Sequence, residues 1–166
     1  MRYVVLGFCL VAAACGDTPV TSPTAPSSTL PGTASASRGS ELPFRGTLQA
    51  TETVVDGLNR LSGTGEATHL GHFTMLSVFT VIPPPVSTAS GTATWTAANG
   101  DEISTTVSGQ AVVTFPTAAI AETHTITGGT GRFADASGTF IVRRSVNLLT
   151  LGDSSGSFAG TIDLHH

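Results

Sequence analysis

Three polar side chains share strand faces with isoleucine, valine and phenylalanine, and through them this chain could do chemistry. In the run Ala119–Thr127 the even positions are Ile120, Glu122, His124 and Ile126. In Thr139–Leu149 they are Phe140, Val142, Arg144, Val146 and Leu148. Side chains two apart on a strand point the same way, so Glu122, His124 and Arg144 ride on apolar faces. His69 joins them by parity with Leu61 and Ala67, and Trp95, the only tryptophan, sits between Ala93 and Ala97. A charge on such a face is costly unless paired. The two runs flank one glycine-rich corner, so they should be adjacent and antiparallel, with Glu122 and Arg144 answering one another inside. In an apolar cavity such groups polarise a small ligand or move a proton. Two plainer readings stand beside this one. A bulge would invert the parity, or the apolar face is the outer one and these groups lie at a rim. Trp95 either fills the core or stacks on a ligand.

Other chemistries lack their motifs. His69 and His72 lie three apart, on opposite faces of a strand, so a shared metal would need a bend at Gly71. No serine lies in a G-x-S-x-G elbow, and residues 41–166 contain no cysteine nucleophile. The stretch Gly128-Gly129-Thr130-Gly131-Arg132-Phe133-Ala134-Asp135-Ala136-Ser137-Gly138 is glycine-rich, yet no Lys-Ser/Thr pair or helix follows to receive a phosphate. It is a tight corner between strands, with Phe133 and Ala136 as apolar pegs. Neither a cofactor nor a metal is expected. The formal charge of −4, with no lysine and no arginine run longer than Arg143-Arg144, excludes nucleic acid as a partner.

The first 40 residues give an address. Arg2 precedes an apolar run from Val4 to Ala14, about half of what spanning a bilayer needs, as in an export signal. Ala12-Ala13-Ala14-Cys15 resembles the lipobox of bacterial lipoproteins, with Ala12 where leucine is usual. Ordinary cleavage after an A-x-A site, giving a secreted or periplasmic soluble protein, is the competing reading. Gly16 after the cysteine resembles an outer-membrane address. Cys9 falls in the leader, so the mature chain holds Cys15 alone and no internal disulfide. Residues 16–40 are Pro, Ser, Thr, Ala and Gly with little to bury, a tether whose 25 residues reach roughly 25 to 30 Å. The organisation expected is therefore a signal at 1–14, a lipidated Cys15 and tether through 40, and one domain at 41–166. The membrane is a partner through the lipid anchor only, and the protein belongs to the cell envelope.

The elements that must position the polar residues are strands. Ile103, Thr105, Val107, Gly109, Ala111, Val113 and Phe115 alternate with polar residues over one long run, and Asn99-Gly100 before it is a hairpin signal. With Phe44–Thr53, Leu61–His69, His72–Ile82, Gly91–Ala97, Ala119–Thr127, Thr139–Leu149 and Ser157–Leu164, eight strands are expected. Pro83-Pro84-Pro85 and Gly152-Asp153-Ser154 punctuate them, and no amphipathic helix stands out. This all-β chain closes into an eight-stranded antiparallel up-and-down β-barrel, with a β-sandwich as the alternative.

Thr96-Ala97-Ala98-Asn99-Gly100-Asp101-Glu102, Thr125 to Phe133 and Ala136-Ser137-Gly138 resemble the corresponding blocks of bacterial allene oxide cyclase-like barrel proteins. The glycine corner also resembles that of plant dirigent proteins. The resemblance implies the barrel and, for function, an isomerase or cyclase acting on an oxylipin-like substrate in the lumen. The residues alone favour a non-enzymatic barrel that holds a small apolar ligand or presents a surface domain. No catalytic residue of the plant enzymes matches a position here, and self-association is left open. The lipobox reading is testable: Cys15→Ala should release or mislocalise the protein, whereas an unmodified N-terminus and wholly soluble material from native cells would overturn it.

Overall fold

Alternation of apolar and hydroxyl-bearing residues becomes eight strands that close on themselves. A computed structural model describes residues 41–82, 87–150 and 152–165. The expectations for the leader, Cys15, the tether, Pro83-Pro84-Pro85 and His166 lie outside the described residues. The strands are β1 Leu42–Val55, β2 Leu58–Ala67, β3 Gly71–Ile82, β4 Ser87–Ala97, β5 Glu102–Thr114, β6 Thr117–Gly129, β7 Ser137–Asn147 and β8 Asp153–Asp163. Each pairs antiparallel with the next, and β1 pairs with β8 from Leu42↔Ile162 to Thr51↔Asp153. Closure leaves no open sheet edge and excludes the two-sheet sandwich.

The apolar face is the inner one. Phe44, Phe73, Trp95, Phe140 and Phe158 are buried and pack ring against ring, with centroids 5.0 to 6.0 Å apart. Threonine and serine such as Thr47, Ser62, Thr74 and Thr92 face outward. That is the reverse of a membrane-spanning barrel, whose apolar band faces lipid. Among the described residues no helix is long and apolar enough to cross a membrane.

A bulge does occur, and its place decides the parity. The register of β5 with β6 shifts between Ser104↔Gly128 and Thr105↔Ile126, leaving Thr127 as the extra residue. The shift falls after Ile126, so the alternation from Ala118 through Ile126 is intact and Glu122 and His124 point inward.

The two barrel ends differ. At one end, called here the corner end, β6 passes through the 3-10 turn Gly131–Phe133 into β7, and Phe133 and Ala136 are buried as pegs. Thr130 Oγ1 accepts from the Glu102 backbone N–H at 2.9 Å, tying the corner to the β4–β5 hairpin. Gly131 has φ +55°, and a Cβ there would collide with the Asp101 carboxylate. At the other end, the mouth, β1, β3, β5 and β7 finish, and the alternation fails as a guide to burial: Val113 and Phe115, on the apolar face of β5 by parity, are exposed. They lie beyond the core, where the strand outruns its packing.

Gly131→Val should therefore destabilise the barrel by about 1–3 kcal/mol, because a β-branched residue cannot relax at positive φ and also meets Asp101. Equilibrium urea unfolding checks this. An unchanged midpoint would show that the corner tolerates a side chain.

Candidate functional site

Arg144 on β7 lies diagonal to Glu122 on β6, with Ile120↔Arg144 and Glu122↔Val142 as the paired positions. Arg144 Nε donates to Glu122 Oε2 at 3.1 Å and Nη2 donates to Oε1 at 2.9 Å, a two-pronged pair buried inside the barrel. Its third prong reaches farther. Arg144 Nη1 donates to Glu52 Oε2 of β1 at 3.2 Å, crossing over β8. Gly156 of β8 pairs with Arg144, and a Cβ at Gly156 would come within 2.8 Å of the Arg144 Cβ. Glycine there gives the guanidinium room to cross. Burial alone pulls the Arg144 guanidinium down. The hydrogen bond and charge of Glu122, joined by Glu52, outweigh burial and hold it above its ordinary value.

These three groups form the floor of a cup. A cavity of about 440 Å3 opens toward the mouth, walled by Phe79, Ala89, Ala111, Ile120 and Val146 above Glu52, Glu122 and Arg144. Small side chains at inward positions, Ala89, Ala111 and Ala118, leave this half of the barrel unfilled. Glu52 is 23 % exposed at its side chain, against 1 % for Arg144, so Glu52 is the charged group that a cup occupant meets. A wider depression of about 1000 Å3 on the outer wall, bordered by Thr64, Thr74 and Thr94, holds no buried charge pair.

Below the floor, toward the corner end, the lumen is plugged. His124 stacks on Phe140 at 4.9 Å with the rings 14° apart, and Trp95 stands edge-on to both. His124 Nδ1 lies 3.0 Å from Thr105 Oγ1, whose own hydroxyl donates to the Ala93 carbonyl at 3.3 Å. With the threonine proton so used, the network assigns the Nδ1–H tautomer, donating to Thr105. Burial pushes the His124 imidazole down to about 4 from 6.5; the Glu122 charge works against this and Arg144 adds to it. His124 is therefore neutral near pH 7. Trp95 Nε1 is buried without a hydrogen-bond partner among the described residues.

Of the residues expected to matter, Glu122 and Arg144 meet, whereas His124 and Trp95 face the same interior but belong to the plug and do not line the cup. His69 does not join them. Strand β2 ends at Ala67, and His69 sits in the β2–β3 turn with φ 66°, at the corner end. A turn residue has no strand parity, which is why counting from Leu61 misplaced it. His72 is exposed on the outer face, and among the described residues no group of three or more His, Cys, Asp or Glu side chains converges as a metal site needs. The residue that parity should have found is Glu52. It follows Phe44, Leu48 and Ala50 on the even face of β1.

Two outcomes follow for stability. Arg144→Met leaves the Glu122 carboxylate buried and unpartnered, so it should cost about 3–5 kcal/mol, while the Glu122→Gln/Arg144→Met double variant should cost less than the single one. Urea unfolding of the wild type, the two single variants and the double variant checks this, and losses that simply add would mean that the pair is not coupled. For His124 the folded imidazole binds its proton more weakly than the unfolded one. Its contribution is complete above pH 6.5 and is lost as pH falls through the window from 6.5 to about 4, a total of about 3 kcal/mol. His124→Gln should flatten that part of the stability–pH curve. A wild-type slope that persists in the variant would assign it to other groups.

Comparison with known proteins bears on the fold. No family model and no curated protein matches the chain. Among solved structures it is similar to the pterocarpan synthase dirigent protein GePTS1, at 11% identity and TM-score 0.56, covering 76% of this chain and 90% of that one. It is also similar to the pterocarpan synthase dirigent protein PsPTS1, at 13% identity and TM-score 0.53, covering 78% of this chain and 97% of that one. At such identities the likeness is one of architecture: the chain has the eight-stranded barrel fold of dirigent proteins.

Proposed function

We propose that this is an exported binding barrel, tethered to the envelope through Cys15, that holds one small and mainly apolar molecule in its cup. The observation that carries this reading is the cavity of about 440 Å3 whose apolar walls stand on a charged floor. A pocket of that size with a few convergent polar groups is the usual form of a small-molecule site. The floor has a sign. Two carboxylates, Glu52 and Glu122, share the single guanidinium of Arg144. The guanidinium gives three of its five N–H donors to them and is buried at 1 % exposure against 23 % for Glu52, so the group an occupant meets is an acceptor, the Glu52 carboxylate. The ligand is thus an apolar body with a hydrogen-bond donor or a cation at one end. The synthase names of the two dirigent neighbours favour a small molecule over a macromolecule as occupant.

The second reading, an isomerase or cyclase acting on an oxylipin-like substrate, needs a proton-moving group open to the cup. His124 is sealed in the plug, which leaves Glu52 as the carboxylate positioned for it. An oxylipin's own carboxylate would also face the negative floor, so the geometry favours binding over this chemistry.

Calorimetric titration with decylamine, decanol and decanoate separates these readings. The amine and the alcohol should bind about tenfold or more tighter than the carboxylate, a difference of about 1.4 kcal/mol, and Glu52→Gln should erase most of that preference. Tightest binding by decanoate, or no binding of any of the three, would overturn the assignment. Turnover of a panel of epoxy fatty acids would replace it with the cyclase reading.

A further inference from the structure

The apolar residues that the core does not use are gathered at one place. Among the described residues the five most exposed large apolar side chains are Phe115 at 72 %, Val112 at 69 %, Val54 at 68 %, Leu149 at 67 % and Ile82 at 65 %. They come from the ends of β1, β3 and β5, the turn after β5 and the turn after β7, all at the mouth. Among the described residues, Leu76 is the sole exposed large apolar side chain away from this end. The cup therefore opens through a crown of exposed hydrocarbon, while the outer wall beneath it is hydroxyl-rich. Scattered exposed apolar residues need no explanation, but several gathered at one cavity mouth mark an interaction surface.

We propose that the crown docks into a lipid bilayer, so that the cup opens onto the acyl region and takes its occupant from the membrane. Two observations select lipid over a second copy of the chain. The first is area. Strands about 4.8 Å apart and tilted about 40° give a backbone radius of about 8 Å and, with side chains, an end face of about 500 Å2. Two such faces bury about 1,000 Å2 at most, under the roughly 1,200–2,000 Å2 of stable assemblies. The second is continuity: Val54, Val81 and Val113 line both the cup and its rim, so a docked crown joins the cavity to the apolar phase along an apolar path beside Asn59, Ser87 and Gln110.

The crown's charge predicts its lipid preference. Asp56 at the tip of the β1–β2 turn offsets the exposed Arg60 near the start of β2, and the chain contains no lysine, so docking should depend on hydrocarbon and not on anionic headgroups.

The test uses the mature chain from residue 15 carrying Cys15→Ser, which removes the lipid anchor and leaves the crown. It should float with phosphatidylcholine vesicles, with no gain when phosphatidylglycerol is added and no loss at 1 M salt. Val112→Asp/Phe115→Asp should weaken vesicle binding at least tenfold, with an unchanged thermal melt because both residues are exposed. Leu76→Asp on the outer wall should leave binding intact. Failure of the unanchored chain to bind vesicles would overturn the proposal, as would full binding by the double variant. A dimer in sedimentation that Phe115→Asp dissociates, without vesicle binding, would assign the crown to a second copy. Loss of the amine preference in the cup with intact vesicle binding would refute the ligand reading and leave this one standing.

Discussion

The structure depends on how one guanidinium is shared inside a closed barrel. Arg144 is buried on the mouth side of the middle of β7, where an uncompensated charge would be intolerable, and its fork closes on Glu122 while its remaining prong meets Glu52. Such a pair contributes little net stability compared with well-packed hydrocarbon, and breaking it is costly. Its presence therefore needs a reason other than stability. The pair divides the lumen: aromatic rings fill the side toward the corner, and small residues leave the other side hollow. A hollow half with no polar floor would be a void in the core, whereas a hollow half ending in an accessible carboxylate suits the ligand proposed for it.

Much of this was legible in the alternation. The eight runs became eight strands, and the Gly128–Gly138 corner, with Phe133 and Ala136 as its pegs, lies between β6 and β7. Glu122, His124 and Arg144 point inward because the bulge in β6 falls beyond Ile126 and not before it. Nothing in a single sequence locates a bulge to within one residue, since the extra residue, Thr127, is of the same type as Thr123 and Thr125, which keep their places in the alternation. His69 shows the limit from the other side: parity carries no meaning past the last paired residue, Ala67. Glu52 was within reach of the same counting, on the face of Phe44, Leu48 and Ala50.

What alternation could not show was depth. Val113 and Phe115 continue the apolar face of β5 as regularly as Ile103 and Val107, yet the first two are exposed and the last two are buried. Period two says which way a side chain points and is silent on whether anything stands opposite. The cup is invisible for the same reason. It exists because Ala89, Ala111 and Ala118, on three different strands, come level with one another, and that level is set by the barrel's stagger. His124 likewise looked like a proton carrier by its face, and only its depth in the plug, between Phe140 and Thr105, makes it a neutral structural group.

The central claim is that the Glu52–Arg144–Glu122 floor reads the polar end of a ligand lying along the lumen. Intermolecular nuclear Overhauser effects with bound decylamine test it most directly. The account predicts contacts from the methylene beside nitrogen to Glu52, and from the terminal methyl to Val81 and Val113 at the rim. A terminal methyl beside Glu52, or contacts to Thr64 and Thr74 on the outer wall, would contradict it.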